Sequence, residues 1–243
     1  MLLVDAHCHI NLVEKPKELI KVAVANGVAA MICSGDSSKD CEECIELADA
    51  KHVFATIGIG PDFACKEESY VDTLEEMIRK YKGKIVGIGE IGLDAKVDCE
   101  LKIQEEVFKA QIDIAKRLNM PIVVHSRQMM ERVMNILQQS NVEKAMMHFF
   151  EGTEEQAAKL AEAGYLLSFP PLSSGRRNRI IKMLPLNNIV TETDSPFVGK
   201  DPTEVAKTLE LISKIKGVSV EDVAYAIAQN IRNLFNINID QGP

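Results

Sequence analysis

The chain has 243 residues, 46% of them hydrophobic and 26% charged, which is the balance of an ordinary globular protein and excludes a disordered or collagen-like chain. With 28 Lys and Arg against 36 Asp and Glu, the net charge of −8 works against retention on nucleic acid by bulk charge, so any attraction for phosphate has to be local. No stretch approaches the roughly 18 uninterrupted apolar residues of a membrane span. The opening Met-Leu-Leu-Val-Asp-Ala-His lacks the basic and long apolar regions of a signal peptide. A cytoplasmic location is therefore expected, with six reduced cysteines, no membrane and no obligate protein partner.

Eight short apolar runs alternate with amphipathic stretches along the chain. The first run covers residues 2–5, and residues 15–26 read as a helix closed by Gly27. The second run, 29–33, leads into Asp36-Ser-Ser, a helix start. Cys41-Glu-Glu-Cys44 has the spacing of a redox pair or half a zinc knuckle. Glu42, Glu43 and Glu46 surround it and would raise the thiol pKa, so it reads as two ordinary helix cysteines. Runs at 53–59 and 85–88 follow. A helix over 101–118 then sets Ile103, Val107, Ala110, Ile114 and Leu118 at spacings of three and four. Runs at 121–124 and 144–147 precede a helix over 153–163, which opens on a Thr-x-x-Gln capping box and closes at Gly164. The last runs, 165–168 and 189–191, are followed by helices over 202–216 and 220–235. Val- and Ile-rich runs that are apolar on both faces are the mark of parallel strands covered on both sides. Eight of them in this length predict an α/β fold, a (β/α)8 TIM barrel forming one domain over 1–243, with a doubly wound open sheet as the structural competitor.

Four of the five histidines fall at the ends of predicted strands: His7 and His9 after the first, His125 after the fifth and His148 after the sixth. His52 precedes the third strand, at the opposite rim, and reads as structural or surface. In a barrel the C-terminal strand ends form a single rim that carries the active site. Side chains alternate along a strand, so His7 and His9 point the same way and Cys8 points away, and two neutral imidazoles so placed can share a metal. Glu90, in Gly87-Ile-Gly-Glu90-Ile-Gly-Leu-Asp94, and Asp194, in Thr191-Glu-Thr-Asp194-Ser-Pro, add carboxylates at the ends of strands four and eight. Separately these would be a solvated loop acid and a loop cap. Together with four strand-end histidines they predict a metal site, because a charge in an apolar, glycine-rich segment is costly unless it is paired or metal-bound.

The motifs His7-x-His9, Gly89-Glu90-Ile-Gly-Leu-Asp94, His125-Ser-Arg, His148-Phe-Phe-Glu-Gly, Thr191-Glu-Thr-Asp194-Ser-Pro-Phe and Asn230-Ile-Arg-Asn-Leu-Phe235 together resemble the TatD family of metal-dependent hydrolases, part of the amidohydrolase superfamily. The resemblance implies a (β/α)8 barrel and a metal-dependent hydrolase that cleaves DNA or another phosphodiester. It also implies two divalent ions. His7, His9 and Asp194 would hold the first, His125 and His148 the second, and Glu90 would bridge them. Zinc is the first expectation, with manganese, magnesium, nickel and iron also admitted. Glu90 and Asp194 would be the catalytic carboxylates, Asp194 orienting the attacking water or accepting its proton. The charge of two divalent ions, rather than a basic surface, would recruit the phosphodiester.

Substrate contacts are expected from Arg127 and from Arg176 and Arg177, the latter two in a basic stretch, Gly175-Arg176-Arg177-Asn178-Arg179, read as a βα loop on the rim. The chain departs from the family after strand three, where a His-Pro-His loop is replaced by Gly60-Pro61-Asp62. The Tyr common after Gly-Leu-Asp is replaced by Ala95-Lys96. Slow phosphodiester cleavage is expected in consequence, with histidine at positions 60 and 62 raising it. The alternative activity is that of an amidohydrolase-like enzyme cleaving a C–N or carboxylic ester bond. A carboxylated lysine commonly bridges the metals there, and Glu90 at that strand speaks for the first reading. A catalytically silent barrel would have lost a ligand, and none is lost.

Overall fold

Eight parallel strands form one sheet in chain order, β1 to β8, in a computed structural model that describes residues 2–239 apart from the side chain of Glu68. The ends of the expected domain, Met1 and residues 240–243, lie outside the described residues. The strands are β1 Leu3–Cys8, β2 Val28–Ser34, β3 Val53–Ile57, β4 Ile85–Asp94, β5 Ile122–Arg127, β6 Ala145–Met147, β7 Leu166–Phe169 and β8 Ile189–Thr191. Every predicted run is a strand, and the pairing is parallel throughout, β1 with β2 on to β7 with β8. The last seam is closed just beyond β8. The Thr191 hydroxyl donates to the Val4 carbonyl at 2.9 Å, the Asp194 amide to the His7 carbonyl at 3.0 Å, and the His9 amide to the Ser195 carbonyl at 2.7 Å. This is the (β/α)8 barrel expected from the alternation, and the open-sheet competitor falls away.

Three strands run further than their apolar runs suggest, and the extra residues carry the chemistry. β1 continues through His7, β5 through His125, and β4 through Glu90 to Asp94. Glu90 is thus inside a strand and buried, rather than at its end. Glycine permits this at two points of close approach. A Cβ on Gly89 would lie 2.6 Å from Val123 Cβ, and one on Gly92, whose φ is +148°, would lie 2.0 Å from the His125 carbonyl oxygen. The register pairs Gly92 with His125 and Asp94 with Arg127, which brings the Glu90 segment against the functional end of β5.

The helices are α1 Pro16–Ala25, α2 Ser38–Leu47, α3 Ala64–Glu67, α4 Val71–Lys80, α5 Leu101–Leu118, α6 Met130–Gln139, α7 Glu154–Glu162, α8 Gly175–Met183, α9 Val205–Lys216 and α10 Val220–Phe235. α5 and α10 have the predicted bounds. At α7 the reciprocal bonds between Thr153 and Gln156 form the expected capping box. The 202–216 stretch divides into a 3-10 turn, Pro202–Glu204, and α9. The short α3, α4 and α6 were not anticipated, although α4 and α6 bury apolar residues at helical spacing, Val71, Leu74 and Ile78 in one and Val133, Ile136 and Leu137 in the other. The basic 175–179 stretch is not a loop. It opens α8, capped by the Ser174 hydroxyl, which accepts from the Arg177 amide.

Cys41 and Cys44 lie on the buried face of α2, as helix cysteines should, and burial more than the neighbouring glutamates pushes the Cys41 thiol up. His52 is half-buried, its Nδ1 3.2 Å from the Ala29 carbonyl oxygen, away from the functional rim. No helix among the described residues is long and apolar enough to cross a membrane.

The expectation of six thiols is corrected. Cys65, on α3, and Cys99, just before α5, form a disulfide across 34 residues, and Cys8, Cys33, Cys41 and Cys44 remain free and buried. No local spacing announces the pair. It forms because β3 and β4 are neighbours, which brings the loops after them together. Cysteine content therefore no longer argues for a reducing compartment. Thiol titration of the unfolded, unreduced protein is expected to count four cysteines. Cys65→Ser is expected to lower the unfolding free energy by about 2–4 kcal/mol in urea titrations, through loss of a loop closure.

Candidate metal centre

Four imidazoles converge on one carboxylate. Glu90 Oε1 lies 2.6 Å from His125 Nδ1 and 2.9 Å from His148 Nε2, and Glu90 Oε2 lies 3.2 Å from His7 Nε2 and 3.4 Å from His9 Nε2. Each oxygen thus faces its own histidine pair. Asp194 Oδ1 approaches the second pair, 3.8 Å from His7 Nε2 and 3.5 Å from His9 Nε2. The donor atoms of His7, His9 and Glu90 lie within 4.8 Å of one another, as do those of Glu90, His125 and His148, and those of His7, His148 and Asp194. Every residue expected as a metal ligand is therefore in one cluster, the histidines and Asp194 at or just beyond strand ends and Glu90 within β4.

The arrangement fits divalent cations. Nitrogen and carboxylate oxygen are the donors that zinc and its first-row neighbours take. The Nε2 atoms of His7 and His9 are 3.1 Å apart, and His125 Nδ1 and His148 Nε2 are also 3.1 Å apart. Two lone pairs do not face each other at that distance unless a proton or a cation stands between them.

Of the nitrogens turned away from Glu90, those of His7 and His125 have hydrogen-bond partners that fix their rings, and that of His148 faces a carboxylate. The Ser34 hydroxyl, itself 2.7 Å from Thr56 Oγ1, is 3.0 Å from His7 Nδ1. Asp94 Oδ2 is 2.9 Å from His125 Nε2. Glu192 Oε2 is 3.7 Å from His148 Nδ1, within ion-pair reach but beyond a hydrogen bond, and that nitrogen is otherwise unpartnered. Glu192 is held by the Phe149 amide at 2.7 Å and by the Ser168 hydroxyl at 2.5 Å. Carboxylates and hydroxyls behind metal-site histidines set tautomer and basicity. Sequence reading assigned no role to Ser34, Asp94 or Glu192. For Glu192 a signal existed: it precedes Asp194 by two, the same alternation that marked His7 and His9.

The electrostatics show how strongly the centre draws positive charge. Burial alone would raise the Glu90 carboxyl, but the charge of His148 and hydrogen bonds from His125, His148 and His7 hold it well below the usual range. Burial disfavours charge on His9 and His125 as well, yet Glu90, joined by Asp94 at His125, lifts both to about 9. His148 is lifted well above its ordinary value against burial by Glu90 and Glu192. His7, fully buried beside His148, falls to about 4. Asp194 rises to about 6, chiefly through burial. Its backbone is left-handed, φ +50°, and is fixed by the seam bond to His7 and by the Phe197 and Val198 amides, which donate to its carbonyl at 2.9 and 3.0 Å.

The three expected substrate arginines are placed differently. Arg177 lies over the Phe149 ring at 5.5 Å, next to His148 in sequence. Arg176 is exposed on the same first turn of α8, and Arg179 turns away to Glu154 at 2.7 Å. Arg127 is exposed at the end of β5, and its charge helps to hold the Asp94 carboxyl down. In the family-divergent loop, Asp62 senses the centre. Its carboxyl is raised by partial burial and by the charges of Asp94 and Glu90, against the pull of His125. Gly60 backs onto Asp36, whose Cβ would be 2.9 Å from an added Cβ. The structure therefore leaves room for a side chain at position 62 and not at 60.

Comparison with known proteins agrees with this geometry. The model of the family described as TatD related DNase matches residues 4–236. The human Deoxyribonuclease TATDN3 is 32% identical over 258 residues, covering 96% of this chain and 94% of the human one. The metal-dependent hydrolase MJ1582 of Methanocaldococcus jannaschii is 32% identical over 243 residues, 96% of each chain. Among solved structures, the TatD homologue YjjV from Escherichia coli shares the fold with a TM-score of 0.91 at 22% identity, over 97% of this chain and 98% of that one. A match that runs from the first strand to the last helix, with relatives alike over nearly their whole length, makes this chain a member of the TatD family of metal-dependent hydrolases.

Proposed function

We propose that this hydrolase is a deoxyribonuclease or phosphodiesterase, built as one barrel domain over 1–243 and working with two divalent ions, zinc first among them. The observation that carries the reading is the division of Glu90, one oxygen toward His125 and His148, the other toward His7 and His9. A carboxylate so divided suits a bridge between two cations. His7, His9 and Asp194 would hold one ion, and His125 and His148 the other. When bound, the ions supply Lewis-acid polarisation of a phosphoryl oxygen and lower the pKa of water.

The chain's own groups do the rest. Asp194, fixed by the seam beside His7 and His9, would orient a water and take its proton at a carboxylate oxygen. Ser34 and Asp94 would keep His7 and His125 turned toward Glu90, and the Glu192 charge would favour the same orientation of His148. Arg177, stacked on Phe149, and the exposed Arg176 and Arg127 are placed to meet phosphates. The deoxyribonuclease name of the human relative supports DNA as the substrate class. Glu90, where many amidohydrolases use a carboxylated lysine, speaks against the C–N or carboxylic ester alternative.

Elemental analysis of protein loaded with Zn²⁺ or Mn²⁺ is expected to find up to two ions per chain. Glu90→Gln should lose occupancy and activity together. A variant that keeps both ions and turns over at the parent rate would show that Glu90 does not bridge. Glu192→Gln should weaken the ion at His148 about ten- to a hundredfold in chelator competition and the other less, since among the expected ligands only His148 is within ion-pair reach of it.

On DNA, slow turnover is expected, abolished by Asp194→Asn. Asp62→His should raise it roughly tenfold, by exchanging a repelling carboxylate for a hydrogen-bond donor. Gly60→His should instead cost stability, because its Cβ meets Asp36. Brisk hydrolysis of amides or carboxylic esters, with no cleavage of any phosphodiester, would transfer the assignment to the alternative.

A further inference from the structure

An aromatic ring stands unclaimed beside the centre. Phe197 is 66% exposed, yet it is not loose. Its amide closes the turn on the Asp194 carbonyl at 2.9 Å, and its ring meets the His9 ring edge-on, with centroids 5.2 Å apart and planes at 70°. The ring is thus fixed against a residue of the cluster and otherwise open to solvent. Exposed apolar side chains are common, but this one is held against a histidine of the cluster, in the turn that also carries Asp194, and so stands beside the centre.

The charges around it make such a ring useful. Asp62 is exposed at the mouth, its carboxyl within the field of Asp94 and Glu90, and the protein as a whole carries −8. Binding energy from surface charge is therefore limited, and a polyanion needs another hold. Stacking supplies one that does not depend on charge and accepts any base. A base is joined to its phosphate by a single sugar, so a phosphate drawn among the imidazoles carries its base to the ring next to His9.

Building on the phosphodiesterase reading above, we infer that Phe197 is a specificity-determining residue whose exposed ring stacks a nucleobase of the substrate, so that the enzyme selects nucleotidyl phosphodiesters over phosphodiesters without bases.

The test compares the metal-loaded full chain with Phe197→Ala and Phe197→Trp, on a dinucleoside monophosphate and on its counterpart with both bases replaced by hydrogen. The parent is expected to lose about ten- to a hundredfold in kcat/KM when the bases are removed, mostly through KM. Phe197→Ala should show a similar loss on the intact dinucleotide but little further loss on the base-free one, and Phe197→Trp should restore discrimination. Independent losses would instead multiply. With the centre unaltered, the fluorescence of a 2-aminopurine dinucleotide carrying a non-hydrolysable methylenephosphonate linkage should be quenched on binding when Phe197 is present and not when it is alanine. Multiplying losses, or quenching that survives Phe197→Ala, would overturn the proposal. So would a fall in metal content in Phe197→Ala, which would mark the ring as a support for His9. A parent inert on the dinucleotide and on every other phosphodiester overturns the phosphodiesterase reading, and this inference with it. A parent active on both substrates without discrimination overturns the inference alone.

Discussion

A single carboxylate charge in the middle of β4 organises this protein. Glu90 is 7% exposed, in a strand otherwise made of glycine and aliphatic residues. Such a charge without compensation would cost several kcal/mol, and in its absence the carboxyl would simply stay protonated. Four imidazoles prevent that, and two of them, His7 and His125, are hydrogen-bonded from behind by Ser34 and Asp94. The barrel can be understood as the device that brings these groups from β1, β4, β5 and β6 to one point, since no shorter piece of the chain contains them. The same field that raises His9 and His125 to about 9 is the field that would draw divalent cations. Protons and metal ions compete for one set of lone pairs, as at any site with imidazole ligands.

The fold and the inner ring of residues were largely legible in the sequence, for two physical reasons. Parallel strands covered on both faces have to be apolar throughout, so all eight announce themselves. A histidine or carboxylate at the end of such a run has no role in the core, so His7, His9, Glu90, His125, His148 and Asp194 stand out. What was not legible depends on neighbours in space. Asp94 and Glu192 look like any loop acid until β5 and β6 bring His125 and His148 against them. Ser34 closes a strand like many serines. The Cys65–Cys99 bond needs the adjacency of β3 and β4, which spacing does not encode. α4 and α6 carried a helical pattern that the strand-first reading passed over, and α8 was hidden because its first turn is basic and polar rather than amphipathic.

The rim divides into two regions of different character. Around β1, β6 and β8 lie Phe197, Phe149 and Arg177, aromatic and basic. After β3 and β4 lie Asp62 and Lys96, and the disulfide ties these two loops together from Cys65 to Cys99. The acid that senses the centre and the covalent tie thus fall on the same side of the barrel.

The seam between β1 and the segment after β8 has a consequence for biosynthesis. His7 and His9 leave the ribosome well before Glu192 and Asp194, yet the His7 carbonyl and the Asp194 amide are bonded at 3.0 Å. A nascent chain that has emerged just past β6, through His148, holds the four histidines of the cluster and Glu90 but lacks β7 and β8, which close the ring. A contact between positions so far apart in the chain is entropically the slowest kind to make. The completed cluster, with Asp194 in it, is therefore a late event of folding.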